Sequence, residues 1–135
     1  MNLTYRYRIK DKHAARLSRM ARAVNIVWNY CNGAQMHALK WNTQWPSAFT
    51  LHRMTAATSK ELGIPASTIN AVCTQYAKSR TQHKRAKLRF RGKRSLGWVP
   101  LRPVSISYRN GKFRVAGQDV SVWMSRPLPV GAIIR

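Results

Sequence analysis

The residues of this chain best suited to chemistry are cations, and they are concentrated in one place. Between Lys78 and Arg94, in KSRTQHKRAKLRFRGKR, stand Lys78, Arg80, Lys84, Arg85, Lys87, Arg89, Arg91, Lys93 and Arg94, with His83 among them and no acid. Nothing nearby neutralises that density, and the counter-charge that matches it best is a phosphate backbone. The whole chain shares the bias: 25 Lys and Arg stand against 3 Asp and Glu, a formal charge of +22 over 135 residues. A nucleic acid is the expected partner. An anionic membrane surface competes with it, and is disfavoured because no long apolar helix accompanies the basic residues.

Other chemistry is missing. Asp11, Glu61 and Asp119 are too few and too scattered for a two-metal nuclease centre, which needs several converging carboxylates. His13, His37, His52 and His83 have no metal-ligand spacing, and no phosphate loop, nucleophile elbow or zinc motif is present. The chain is expected to bind and not to catalyse, with no cofactor of its own. Cys31 and Cys73 have no Cys-x-x-Cys partner and fall on the apolar sides of predicted helices. They read as reduced core thiols of a cytoplasmic protein. No run reaches the roughly 18 apolar residues of a membrane span, and the basic, alternating start MNLTYRYRIK is no secretory signal.

The elements that must position the basic run follow from periodicity. In residues 3–9, Leu3, Tyr5, Tyr7 and Ile9 alternate with Thr4, Arg6 and Arg8, which predicts a half-buried strand with a basic outer face. Asp11 is placed to cap a long amphipathic helix over 13–41, whose apolar positions include Leu17, Met20, Val24, Trp28 and Cys31. Trp28 lies on its apolar face, while Trp41 and Trp45 read equally as core or as surfaces for stacking bases. A loop at 42–49 precedes a helix from Leu51 to Leu62, with Thr50 as cap and Gly63 as stop. A further helix over 66–85 carries Ile69, Val72, Cys73 and Tyr76 in its first half and turns basic afterwards, projecting the cationic run. Beyond it, alternation around Ile106 and Tyr108, the hairpin signal Asn110-Gly111 and a return through Phe113 and Val115 predict a small antiparallel sheet. A strand at Val120–Met124 and a Pro-rich end follow.

TSKELGIPASTINAV, residues 58–72, matches a helix-turn-helix pattern: Leu62, Gly63, Ile64, Ile69 and Val72 fill its apolar and glycine positions. Ser67, Thr68 and Asn70 fall where a second helix would meet DNA. Ser59 and Pro65 depart from that pattern, so the segment reads either as a base-reading unit or as an ordinary helical hairpin.

The order of parts resembles the N-terminal half of TnpB proteins of insertion sequences, compact relatives of CRISPR effector nucleases. The opening YRYRIK, RAVNIVWNYCN, LGIPASTINAVCTQYAKSR, KLRFRGKRSLGWVPLR and FRVAGQDVSVWMSRPLPVGAIIR carry that resemblance along essentially the whole chain. It implies an α+β fold, a wedge-type oligonucleotide-binding β-barrel (1–11 and 95–135) interrupted after its first strand by a helical recognition insertion (12–94). It also implies RNA-guided DNA cleavage by a RuvC-like domain, with Mg and Zn bound only there. That domain would begin near residue 135, so the chain is expected to be a truncated piece of such a protein, a split product or the remnant of a degraded gene, with the missing nuclease domain a possible partner.

What the resemblance transfers is binding of guide RNA and target DNA, in a bacterial cytoplasm and at the nucleoid when on DNA. Backbone contacts are expected from Arg6, Arg8 and the nine cations named above. Phe49, Arg53, Ser67, Asn70, Leu101 and Arg102 are, by position, the candidates for reading a transposon-adjacent DNA motif. Asn70 would suit an adenine edge, and Arg53 or Arg102 a guanine. A stand-alone helix-turn-helix regulator and a ribosomal-type RNA-binding protein are the alternatives.

Overall fold

The computed structural model describes residues 4–84, 86–95, 97–109 and 112–128. Its helices are α1 (Ala14–Lys40), α2 (Ala48–Met54), α3 (Ser59–Leu62) and α4 (Ala66–Gln82). Its strands are β1 (Arg8–Ile9), β2 (Ile106–Arg109), β3 (Lys112–Val115), β4 (Gln118–Val120) and β5 (Val122–Trp123). The core is helical. Val24, Val27, Trp28 and Cys31 of α1 meet Ile69, Val72, Cys73 and Tyr76 of α4, with Leu51 of α2 and Ile64 closing one side. Each set recurs at three- and four-residue spacing, so one stripe of each helix is removed from water. Trp28 meets Tyr76 edge-on at 5.1 Å. Cys31 and Cys73 are free and buried, their Sγ atoms 3.8 Å apart. The bond to Cys73 and, after it, burial push the Cys31 thiol well above its ordinary range.

The expected α+β class is present, but the strands make two small sheets. β2, β3 and β4 form an antiparallel meander, with Arg109 opposite Lys112 and Val115 opposite Gln118. β1 pairs with β5, Arg8 opposite Trp123 and Ile9 opposite Val122, so the helices are inserted between two strands of one ladder. Among the described residues the sheets do not close into a barrel. The strand predicted over 3–9 is laddered only at Arg8 and Ile9, although Tyr5 and Tyr7 stay half-buried between exposed Thr4 and Arg6. Leu3 and the turn residues Asn110 and Gly111 lie outside the described residues.

Helix boundaries moved where side chains bond to backbone. The Ser47 hydroxyl accepts the Thr50 N–H at 3.1 Å, so Ser47, not Thr50, caps α2 and the helix starts earlier than expected. The single helix predicted from Leu51 to Leu62 is broken: the hydroxyls of Thr55 and Thr58 donate to the carbonyls of Leu51 and Thr55. Threonine hydroxyls compete with the helical ladder in this way, and Ala57 between them sits at φ 67°. Gly63, at φ 68°, ends α3 as expected. Asp11 caps nothing. It opens a 3-10 turn and lies 3.7 Å from Arg8 in full solvent, while His13 precedes α1 and accepts the Ser121 N–H at 2.9 Å.

Strand and helix layers are joined by polar ties and one close approach. Arg16 donates to the Val115 carbonyl at 3.0 Å, and the hydroxyls of Ser67 and Ser105 lie 3.0 Å apart. Gly97 lies against Ala21 so closely that a Cβ at that position would collide with the alanine side chain.

Candidate nucleic-acid interface

The cationic run is not the outgoing half of a helix. α4 stops at Gln82, and Lys84 takes a left-handed conformation, φ 49°. The chain then turns back and crosses α1 as an irregular, extended strap. Its backbone is held by side chains of α1: Asn32 donates to the Leu88 carbonyl at 2.8 Å, and Trp28 Nε1 to the Arg89 carbonyl at 3.2 Å. Asn29 both donates to the Arg91 carbonyl at 2.8 Å and accepts its N–H at 2.7 Å. Asn32 is fully buried and also accepts the Tyr76 hydroxyl at 2.8 Å, which ties strap, α1 and α4 together. Burial raises the Tyr76 hydroxyl to about 12.

Pinned by its backbone, the strap divides its side chains. Leu88 packs on the helical core, while Lys87 and Arg89 on either side of it stand exposed, followed by exposed Lys93 and Arg94. Lys78, Lys84, Arg6 and Arg8 are exposed as well; Arg85 lies outside the described residues. Apart from Arg8, which lies beside Asp11, these cations have no acidic partner among the described residues, and they can follow a phosphate chain without first breaking internal ion pairs.

Two expected phosphate contacts are instead structural. Arg80 is 8% exposed: it donates to Gln35 Oε1 at 2.7 Å and to the Pro46 carbonyl at 2.8 Å. Its guanidinium also lies 5.6 Å from the Trp45 ring and 6.0 Å from that of Tyr76. Arg91 is half-buried, 4.1 Å from the Trp28 ring centre and 5.5 Å from that of Trp98, with Asn25 Oδ1 at 3.4 Å. Burial lowers its pKa from the ordinary value, and a guanidinium remains charged regardless. Planar, weakly hydrated guanidinium suits these sites between rings and amides, where an ammonium would not.

The motif-reading candidates are only partly assembled. Arg53 and Asn70 line an open cleft of about 330 Å³ together with His52 and Ser59. His52 Nε2 is 3.0 Å from the Asn70 carbonyl and 3.1 Å from the Thr74 hydroxyl. Phe49 is exposed one turn before Arg53 on α2. Ser67 faces Ser105 instead, and Thr68 is fully buried. Leu101 is half-buried and Arg102 exposed, immediately before the turn that carries Ser105.

The residues that sequence reasoning passed over are the amides of α1. Asn25, Asn29, Asn32 and Gln35 recur at intervals of four, three and three, and bond Arg91, the strap backbone, Tyr76 and Arg80 in turn. That interval is the helical period, and a polar row beside an apolar stripe is the signal that would have exposed them. Among the described residues no group of three or more possible ligands could hold a metal ion, and no helix is long and apolar enough to cross a membrane. Comparison with protein-family models, curated proteins and solved structures finds no match to this chain.

Proposed function

We propose that the chain is the nucleic-acid-binding portion of a transposon-associated, RNA-guided DNA endonuclease, and that its strap grips guide RNA or the guide–target duplex. One observation supports this most: bonds from α1 side chains to the strap backbone fix residues 88–91 and leave Lys87 and Arg89 facing solvent, with no acid beside them among the described residues. A basic track of fixed shape suits A-form backbone, which proteins recognise by geometry and phosphate position more than by base sequence. The resemblance to TnpB proteins supplies the rest of the reading: guide RNA and target DNA as partners, the wedge-type barrel, and cleavage by a domain with its own carboxylates and metals. Arg53, Asn70 and Phe49 beside the smaller cleft are the proposed readers of the DNA motif. The helix-turn-helix alternative has less support, since Thr68 is buried and Ser67 is paired with Ser105.

Binding of a fluorescein-labelled RNA hairpin, titrated by anisotropy between about 50 and 200 mM salt, tests the strap. Combining Lys84→Ala, Lys87→Ala, Arg89→Ala and Lys93→Ala should flatten the log–log salt dependence by up to about one unit per lost phosphate contact. An unchanged slope sinks the proposal.

A further inference from the structure

The segment joining α1 to α2, together with the first turn of α2, leaves three large aromatic side chains in water at four-residue intervals: Trp41 is 61%, Trp45 45% and Phe49 70% exposed. An exposed aromatic group of this size in so small a chain marks a contact surface. The segment is also held in place. The Thr43 N–H donates to the Ala38 carbonyl at 2.9 Å, Ser47 caps α2, and buried Arg80 grips the Pro46 carbonyl from beneath, close to the Trp45 ring. Beside Trp45 opens a cleft of about 500 Å³, its walls including His37, Thr43, Gln44, Thr50 and Met54.

Charge and chemistry select the occupant. No acid occurs between Asp11 and Glu61, and the Lys40 ammonium lies 5.4 Å from the Trp41 ring centre. The surroundings therefore attract an anionic chain and offer π faces to whatever it carries. The volume falls in the range of small-molecule sites, and the His, Gln and Thr groups provide the donors and acceptors that a base edge requires. We propose that this cleft receives an unstacked base of single-stranded nucleic acid, stacked on Trp45, with Trp41 as a flanking platform. Arg80 is the positioning residue that holds the loop. The site is distinct from the strap, which follows phosphates, but it rests on the nucleic-acid reading above.

The test titrates the full chain with a labelled single-stranded RNA of about ten nucleotides, a length within the usual site range, and with a blunt RNA duplex. Trp45→Ala should weaken single-strand binding about tenfold, leave duplex binding within about twofold, and leave the salt slope unchanged because no phosphate contact is lost. Trp45→Phe should restore most of the loss, which a merely structural defect would not show. A 2-aminopurine base in the strand should be quenched by the wild type and not by Trp45→Ala. Equal losses on strand and duplex, or no loss on either, overturn the cleft while leaving the strap intact. A wild-type chain that binds neither RNA overturns both.

Discussion

The end of α4 and the strap that follows it belong to one run of charge, yet they use that charge in opposite ways. In α4, Arg80 points inward and is spent on Gln35 and the Pro46 carbonyl. In the strap, Lys87 and Arg89 face water while the backbone beneath them carries the internal bonds. Arg91 lies between the two cases, its guanidinium stacked on Trp28. Density of charge therefore says little about the role of a given cation. The neighbour decides, and a buried amide or carbonyl recruits an arginine that its sequence context assigns to a ligand.

The largest expected effect separates the two regions outright. Arg80→Ala strips a charged donor from fully buried Gln35 and should cost about 3 kcal/mol of unfolding free energy in urea titration. Arg89→Ala should stay within about 0.5 kcal/mol while lowering RNA affinity. Equal stability losses would erase the distinction.

Next, Asn32→Ala removes the bond that joins Tyr76 to the strap and should cost about 2 kcal/mol. Amide exchange should accelerate at Arg91, whose N–H is held by the neighbouring Asn29. Unaltered exchange there would mean that the strap needs no such anchor. Gly97→Ala forces a Cβ into Ala21 and should destabilise by about 1–3 kcal/mol, felt where the segment after the strap meets α1.

The smallest effect is a pH dependence. The folded chain holds the Tyr76 proton to about 12, against an ordinary value of 10.0, so the folded state binds that proton more tightly than the unfolded one. Its contribution is complete below pH 10 and fades as pH rises towards 12. Tyr76→Phe should have lower stability at neutral pH, because Asn32 loses its donor, but a shallower decline across that window in alkaline urea titrations.

Local pattern made much of this legible. The apolar stripes of α1 and α4, the buried cysteines and the β2–β3 pairing follow from periods of 3.6 and 2 that neighbouring residues enforce, and the Gly63 stop follows from the left-handed conformation glycine allows. Local pattern misleads where one side chain can satisfy either of two partners. Thr55 and Thr58 bond backward and split a helix that propensity alone continues, and Ser47 takes the cap that Thr50 also suits. The cationic residues 83–85 gave no local sign that α4 ends at Gln82, because arginine and lysine favour helix.

By itself the sequence determined that this chain carries an unbalanced positive charge on a helical core with a small sheet, since composition and periodicity need no distant contacts. Only the tertiary structure decided which cations remain free. Residues some 45 to 63 positions apart had to meet before Gln35 could claim Arg80, Asn29 and Asn32 could hold the strap, and Trp28 could stack Arg91. Hydrogen bonds and cation–π contacts act over a few ångströms in space, and sequence distance carries no record of them.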